Sequence, residues 1–457
     1  MIKRNVKSCV ECLLLKKGGR GIITVENHRL EQTAGGPLET ERKAYTMAKV
    51  KVGVFGAYRG KCMIEMLAQY PDAELVAICD RYEPLLRECK EIADKYHAKV
   101  TLYQDFEDFF KHDMDAVVLS NYAHEHAPFA IRLLKSGRHV ASEVLPTKSM
   151  AEAVQLVEAV EESGRVYAYL ENYCYFPCTM EMRRLYKEGV LGEVKHAEGE
   201  YVHNCEPGWL DLTYGDKNHW RNREPSTYYC THSLLPILHI TGRRPDIVIG
   251  LENTPSERLM RVGNPRAESA MEIVRLDNGG TVKSVHGNML REPSSVWYSL
   301  YGSKASCESD RWDAGVSVLN LFDPSKSDNR TMYYPKPVVD TALSRSVATH
   351  GGGDFYTIHY FIQKILGNPE GSESIDVYEA LDASMCGLLA YRSLCNGNVP
   401  IKVPNFRNQE EREAYREDYW NTFEDGPYKI INPNVPEIPD QVYEQARAKW
   451  LESQKNR

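Results

Sequence analysis

The chain has 457 residues, 42% of them hydrophobic and 26% charged, with a formal net charge of −8. That length exceeds one ordinary core and predicts two domains, while the composition is that of a soluble globular protein. The acidic balance gives no electrostatic footprint for nucleic acid or an anionic membrane, and no apolar run approaches the ~20 residues of a spanning helix.

Residues 1–46 read as an appended, weakly ordered leader, with Met47 a candidate native start. The leader has basic residues and a short CVECLLL run but no small-residue cleavage site, so it does not read as a secretory signal. Cys9 and Cys12 form a single CxxC without a second pair, and zinc wants four ligands, so no metal is expected. Twelve scattered cysteines without a repeating spacing read as free thiols in a reducing compartment, which predicts a cytoplasmic protein.

From Met47 strand and helix alternate. KVKVGVFG is a strand ending in glycine, AYRGKCMIEMLAQYP a helix, and AELVAICD a second strand. A polar helix from Tyr82 to Tyr96 follows, then KVTLYQDF, DAVVLSN, a helix from His126 to Ser136, and HVASEV. This interval predicts a Rossmann-type doubly wound parallel sheet over residues 47–170. Gly53, Gly56 and Gly60 fall at the first strand-to-helix turn, where backbone can approach a pyrophosphate and the helix N-terminus stabilises its charge. Tyr58 and Arg59 lie within that turn. Asp80, ending the second strand, would accept hydrogen bonds from a ribose and favour NAD over NADP, although Arg81 beside it leaves NADP open. His124 and His126, read as alternate residues on a strand end, are a poor chelate without a third ligand.

Residues 171–406 alternate polar and apolar over long stretches: VKHAEGEYVHN, AMEIVRLDNGGTVKSVHGNML and SSVWYSLYGSKASCES. With the DNGG turn they predict an α+β domain built on a large, open-faced, mainly antiparallel sheet. The segment REPSTYYCTHSLLPILHITG sets Tyr229 and His232 three residues apart, one helix face apart, before Pro236. Proline belongs in a first helical turn, so the helix is expected to begin near Ser233, with Tyr229 and His232 in its lead-in. There the macrodipole disfavours an imidazolium, and a neutral histidine can accept a proton. His203 follows Tyr201 by two residues and shares its strand face. Residues 407–457 read as a helical tail, with NQEEREAYREDYW a solvated face.

Several motifs carry a family resemblance. DAVVLSNYAHEHAPFAIRLLKSGRHVASEV resembles the Gfo/Idh/MocA oxidoreductases, with Ser120, Asn121, His126, Gly137, His139, Val140 and Glu143 in matching positions. Ser120, Asn121, His126 and Glu143 therefore join the expected cofactor contacts. Where those dehydrogenases have Glu-Lys-Pro, this chain has Glu143-Val144-Leu145, and Val144 cannot carry a proton. LENYCY, EGVLGEVKHAEGEYVHN, HWR, YYCTHSLLPIL, HGGGDF and KVPNF resemble, in order, motifs of the NAD-dependent α-N-acetylgalactosaminidases, glycoside hydrolase family 109. That family also lacks the lysine. Cys230, Ser233, Leu235 and Gly353 depart from its pattern, so the same sugar is not implied.

The resemblance implies catalytic roles for His232, Tyr229, Tyr201, His203 and Glu171, and substrate contacts at Trp220, Arg221 and Tyr229. It implies a reaction in which NAD⁺ transiently oxidises C3 of a sugar, a base removes the C2 proton, and the C1 group is eliminated. Water then adds and the hydride returns, without the opposed carboxylate pair of ordinary glycosidases. His232 is expected to serve the 3-hydroxyl, and Tyr201 or Tyr229 the C2 proton. A sugar or cyclitol dehydrogenase that releases NADH is the alternative, and a non-catalytic cofactor-binding regulator a third reading. A small-molecule substrate is expected, with no nucleic acid or membrane partner, and a homo-oligomer that covers the open sheet.

Overall fold

The structure, a computed structural model, describes residues 49–313, 316–347 and 349–455. The leader expected over residues 1–46, with Cys9 and Cys12, lies outside them.

Six short apolar strands make the first sheet: β1 (Val50–Phe55), β2 (Ala73–Cys79), β3 (Thr101–Tyr103), β4 (Ala116–Leu119), β5 (His139–Ser142) and β6 (Tyr167–Tyr169). All pair in parallel, in the order β3-β2-β1-β4-β5-β6. Helices α1 (Ala57–Leu67), α2 (Glu83–Lys95), α3 (Phe106–Phe110), α4 (His126–Lys135) and α5 (Met150–Ser163) provide the crossovers. Val52, Val54, Val117 and Val118 are fully buried, as strands covered on both faces require. Strand order reverses between β1 and β4, and ligands bind such sheets in the crevice beyond that switch point. The expected Rossmann domain is present.

The second sheet has nine strands: β7 (Val194–Val202), β8 (Pro245–Glu252), β9 (Ser269–Leu276), β10 (Thr281–Gly287), β11 (Ser295–Gly302), β12 (Ser306–Ser309), β13 (Leu319–Phe322), β14 (Arg330–Tyr333) and β15 (Ile401–Lys402). Their order is β14-β13-β12-β11-β7-β10-β9-β8-β15. Every pairing is antiparallel except β7 with β10, at its centre. The DNGG turn joins β9 to β10 as a hairpin. One face is covered by the helices Thr231–Thr241 and Val377–Cys395, while the other leaves Leu251 and Ile273 exposed.

Two expectations need correction. The helix bearing His232 begins at Thr231, running on from a 3₁₀ turn over Ser226–Cys230, so Pro236 sits inside it and not in its first turn. Proline leaves the carbonyl four residues back without its N–H. That carbonyl belongs to His232, and the Tyr298 hydroxyl on β11 donates to it at 2.5 Å. The helix continues because a neighbouring strand supplies the missing donor.

The segment NQEEREAYREDYW is helical only over Gln409–Glu413, and a long helix returns at Asp440–Lys455. Nor is it a free solvated face. Arg412 is buried and pairs with Glu161 of α5 at 2.5 Å, and Arg416 pairs with Glu158 of the same helix at 2.5 Å. Its arginines face the acidic side chains of α5, while Glu410, Glu413 and Glu417 stay exposed.

Candidate functional site

A cavity of about 610 Å³ opens beyond the C-terminal ends of β1 and β4, and the second sheet closes it from the other side. Tyr58, Arg59, Ser120, Asn121 and Glu143 line it from the Rossmann side; Tyr201, His203, Trp220, Arg221, Tyr229 and His232 line it from the other. Eleven of the expected site residues thus share one space.

On the Rossmann side the backbone decides. Gly56 has φ of 101°, and a Cβ there would come within 2.3 Å of the Ser120 backbone, so only glycine lets the β1 turn cross the β4 turn. Helix α1 starts at this point, where Gly56 has no side chain to act as cap and Asp80 takes only the Ala57 amide, leaving the next amides of the first turn for a charged ligand. The Asn121 side-chain oxygen is buried without a partner. These residues fit a dinucleotide.

The remaining expected cofactor residues stand back from the cavity. Gly53 lies within β1 against Phe109 and Met114, and Gly60 packs α1 onto Ser120. The Asp80 carboxylate accepts the amides of Ala57 at 2.7 Å and Tyr82 at 2.8 Å, shaping the turn while retaining lone pairs for a ribose. Arg81 is exposed. His126 is buried, and its ring faces the Leu145 carbonyl at 2.7 Å; burial lowers its pKa to about 4. His124 lies in a 3₁₀ turn and stacks on Phe423, so the two histidines face different partners and do not sit on a strand end.

Across the cavity the site rests on close contact between β7 and the Thr231–Thr241 helix. A Cβ at Gly199 would lie 1.7 Å from the Ser233 carbonyl oxygen, so the helix sits directly on the strand. This brings the Tyr201 and His232 ring centroids to 4.7 Å, with Tyr229 and His232 at 5.1 Å. Glu171 does not line the cavity. It is fully buried behind His232, with its carboxylate 2.8 Å from Nδ1. A proton on Nδ1 shared with Glu171 leaves Nε2 as the accepting position of a neutral ring. The carboxylate, as much as the helix start, therefore sets how this histidine works.

Tyr201 and Tyr229 differ. Burial, with Tyr173 and Tyr229 alongside, pushes the Tyr201 phenol well above its ordinary value. The Tyr201 hydroxyl faces His203 Nδ1 at 3.1 Å. Arg221 donates to the Tyr229 hydroxyl at 3.0 Å, and the Arg266 guanidinium lies 4.7 Å over the same ring. Trp220 is buried under Arg221, 4.4 Å from its ring centre.

Sequence reasoning passed over the network joining the two sides. Asp354 is fully buried and accepts hydrogen bonds from Arg59, Asn172 and His350, each at 2.8 Å. Burial works against its charge, but the His350 hydrogen bond and the Arg59 guanidinium outweigh it and hold the carboxyl below the usual range. Arg59 also reaches Glu143 at 2.7 Å. There burial prevails over the guanidinium, and the Glu143 carboxyl moves up. The HGGGDF motif contains both His350 and Asp354, which is the signal that could have found them. Cys205, Arg266 and His286 also line the cavity.

The comparisons agree with this architecture. Residues 50–170 match the Gfo/Idh/MocA model, the oxidoreductase family with an NAD-binding Rossmann fold. A glycosyl hydrolase family 109 protein of Phocaeicola vulgatus is 26% identical over 82% of this chain and 88% of its own length. One from Porphyromonas gingivalis is 24% identical over 80% and 87%. Among solved structures, a levoglucosan dehydrogenase in complex with NADH has a TM-score of 0.62 at 17% identity, over 78% of this chain and all of that one. The WlbA dehydrogenase of Bordetella pertussis, in complex with NADH and UDP-GlcNAcA, has a TM-score of 0.61 at 19% identity, over 78% and 98%. Residues 50–170 are thus an NAD-binding Rossmann domain.

Proposed function

We propose that this chain, with its Gfo/Idh/MocA-type NAD-binding domain, is an NAD-dependent glycosidase that cleaves by transient oxidation, elimination and hydration. The reading rests on one observation: a carboxylate-held histidine and two tyrosines surround the cavity, while Val144 stands where a dehydrogenase keeps its lysine. When bound, NAD would supply a reversible hydride acceptor for C3 of the sugar. Gly56, Ser120, Asn121 and Asp80 would hold it at the Rossmann turn.

The chain's own groups would move protons. His232 Nε2 takes the proton of the 3-hydroxyl, with Glu171 stabilising the imidazolium through Nδ1. Tyr229 is better placed than Tyr201 to take the C2 proton, because its hydroxyl and ring are held by the Arg221 and Arg266 guanidiniums. Tyr201, kept protonated by burial, suits the departing oxygen. The relatives named for glycosyl hydrolase family 109 support the reading.

The test is cleavage of aryl α- and β-glycosides in heavy water with NAD⁺ present. Free sugar deuterated at C2, with no accumulated NADH, is expected. NADH build-up without cleavage would make this a dehydrogenase.

Two further expectations belong to the same reading. The outer face of the second sheet carries Ile247, Ile249, Leu251, Met271, Ile273 and Val285, and a second copy of the chain would cover it; sedimentation as a monomer would refute this. The ten described cysteines are free thiols, which suits a cytoplasmic protein.

A further inference from the structure

A second cluster lies on the same cavity wall. Cys205 follows β7, and its Sγ is 3.9 Å from His203 Nδ1, the nitrogen that also faces the Tyr201 hydroxyl. The Cys205 amide donates to Asn288 Oδ1 at 3.3 Å, fixing the turn that turns the thiol inward. Both residues line the cavity together with Arg221 and Arg266. The charges facing this pair agree in sign: the two guanidiniums favour a thiolate on Cys205, and Glu292 favours an imidazolium on His203.

Burial opposes the thiolate, yet the His203 hydrogen bond and the two guanidiniums hold the thiol below its ordinary value. His203 moves up in turn, chiefly through Cys205. Among the described residues, the other partly exposed cysteines behave oppositely. Burial pushes Cys62 up to about 12 and Cys395 up to about 11. An independent observation points to a ligand here. His286 lines the cavity fully buried; its Nε2 meets Glu272 at 2.9 Å, while its Nδ1 has no partner. With the Nε2 hydrogen given to Glu272, that atom is an unfilled acceptor, a position for a donor hydrogen of whatever fills the space.

We propose that Cys205 and His203 form a thiolate–imidazolium pair that covalently captures small α,β-unsaturated carbonyl compounds entering this cavity. The Cys205 sulfur bonds to the β-carbon, the carbon–carbon π pair shifts to the α-carbon, and His203 gives its proton there. The product is a thioether with its carbonyl intact and a neutral His203, so no oxidant or further reactant is needed. The adduct occupies the part of the cavity beside Tyr201 and Arg221. This chemistry stands independently of the glycosidase reading, because it needs neither NAD nor a sugar.

The test uses N-ethylmaleimide, itself such an electrophile, on the full chain at about pH 6.5, where an ordinary thiol is almost wholly protonated. Peptide mapping by mass spectrometry should find Cys205 modified at least roughly tenfold faster than any other cysteine, Cys9 and Cys12 included. Its rate should rise at lower pH than that of any other cysteine, and His203→Gln should lower it and move its rise to higher pH. Cys205→Ser should remove the fast-reacting peptide. A Cys205 rate that in the unmutated chain climbs only through about pH 8.5 overturns the proposal without needing any variant. So does a faster reaction at another cysteine, or an unchanged rate in His203→Gln.

Discussion

Glu171 has no exposed surface, and the atom nearest its carboxylate in the site is the Nδ1 of His232. A buried carboxylate in that position fixes the tautomer and stabilises the charge the ring acquires when it takes a proton. Glu171→Gln keeps the shape and one acceptor but removes the charge. It should lower kcat by roughly 10²–10⁴-fold with little change in KM, the scale of a lost general-base function, while the chain still melts cooperatively. A kcat within a few-fold of the parent would mean that the Glu171 charge plays no part in that function.

Asp354 makes the opposite case, a carboxylate that holds structure. Asp354→Asn breaks a buried pair with Arg59 and weakens the hold on His350, and should cost about 3–5 kcal/mol. Its folded pKa is depressed, so its contribution is complete above the unfolded value of ~3.9 and is lost as pH falls further toward the folded value. Thermal melts should therefore separate parent and variant fully at neutral pH, with the gap closing only in acid below about pH 4. An equal gap at every pH would mean that the charge is irrelevant.

Among the elements, the contact of β7 with the Thr231–Thr241 helix governs the site, and it depends on one missing side chain. Gly199→Ala would drive a methyl into the Ser233 carbonyl and push the helix off the strand. Overpacking costs about 1–3 kcal/mol, and here it also separates Tyr201 from His232, so activity should fall further than stability. Tyr298→Phe tests the same helix from the other side. It strands the His232 carbonyl that Pro236 cannot serve, at a cost of about 1–3 kcal/mol read by denaturant melts.

These two positions also mark what the sequence could tell. The Rossmann half was legible because strand, turn and crossover helix are set within some thirty residues, so period and glycine placement suffice. Tyr229 with His232 and Tyr201 with His203 were legible as pairs for the same reason. The helix start was not, since the donor that rescues it comes from Tyr298, 66 residues away in sequence. Asp354 meets Arg59 across 295 residues, and the parallel pairing of β7 with β10 aligns His286 with Tyr201; neither leaves a local period to read.

For the molecule as a whole, the cavity has one wall from the Rossmann domain and one from residues 171–406, and the Arg59–Asp354 pair joins the two domains. A ligand held by the first sheet should therefore stabilise both. Saturation at a hundred times Kd adds about 2.7 kcal/mol, worth several degrees in Tm, and both sheets should melt together at the higher temperature. The choice of cofactor turns on Asp80. Its carboxylate stands at the turn already bonded to Ala57 and Tyr82, where a ribose hydroxyl can still be accepted but a 2′-phosphate meets a like charge. NAD⁺ should raise Tm clearly more than NADP⁺ at equal concentration. Asp80→Asn retains an acceptor for the Ala57 amide while removing the repulsion, so the gap between the two cofactors should narrow, chiefly through weaker rejection of NADP⁺. If the parent chain is stabilised equally by both, Asp80 does not read the ribose, and its bonds to the α1 turn are its whole function.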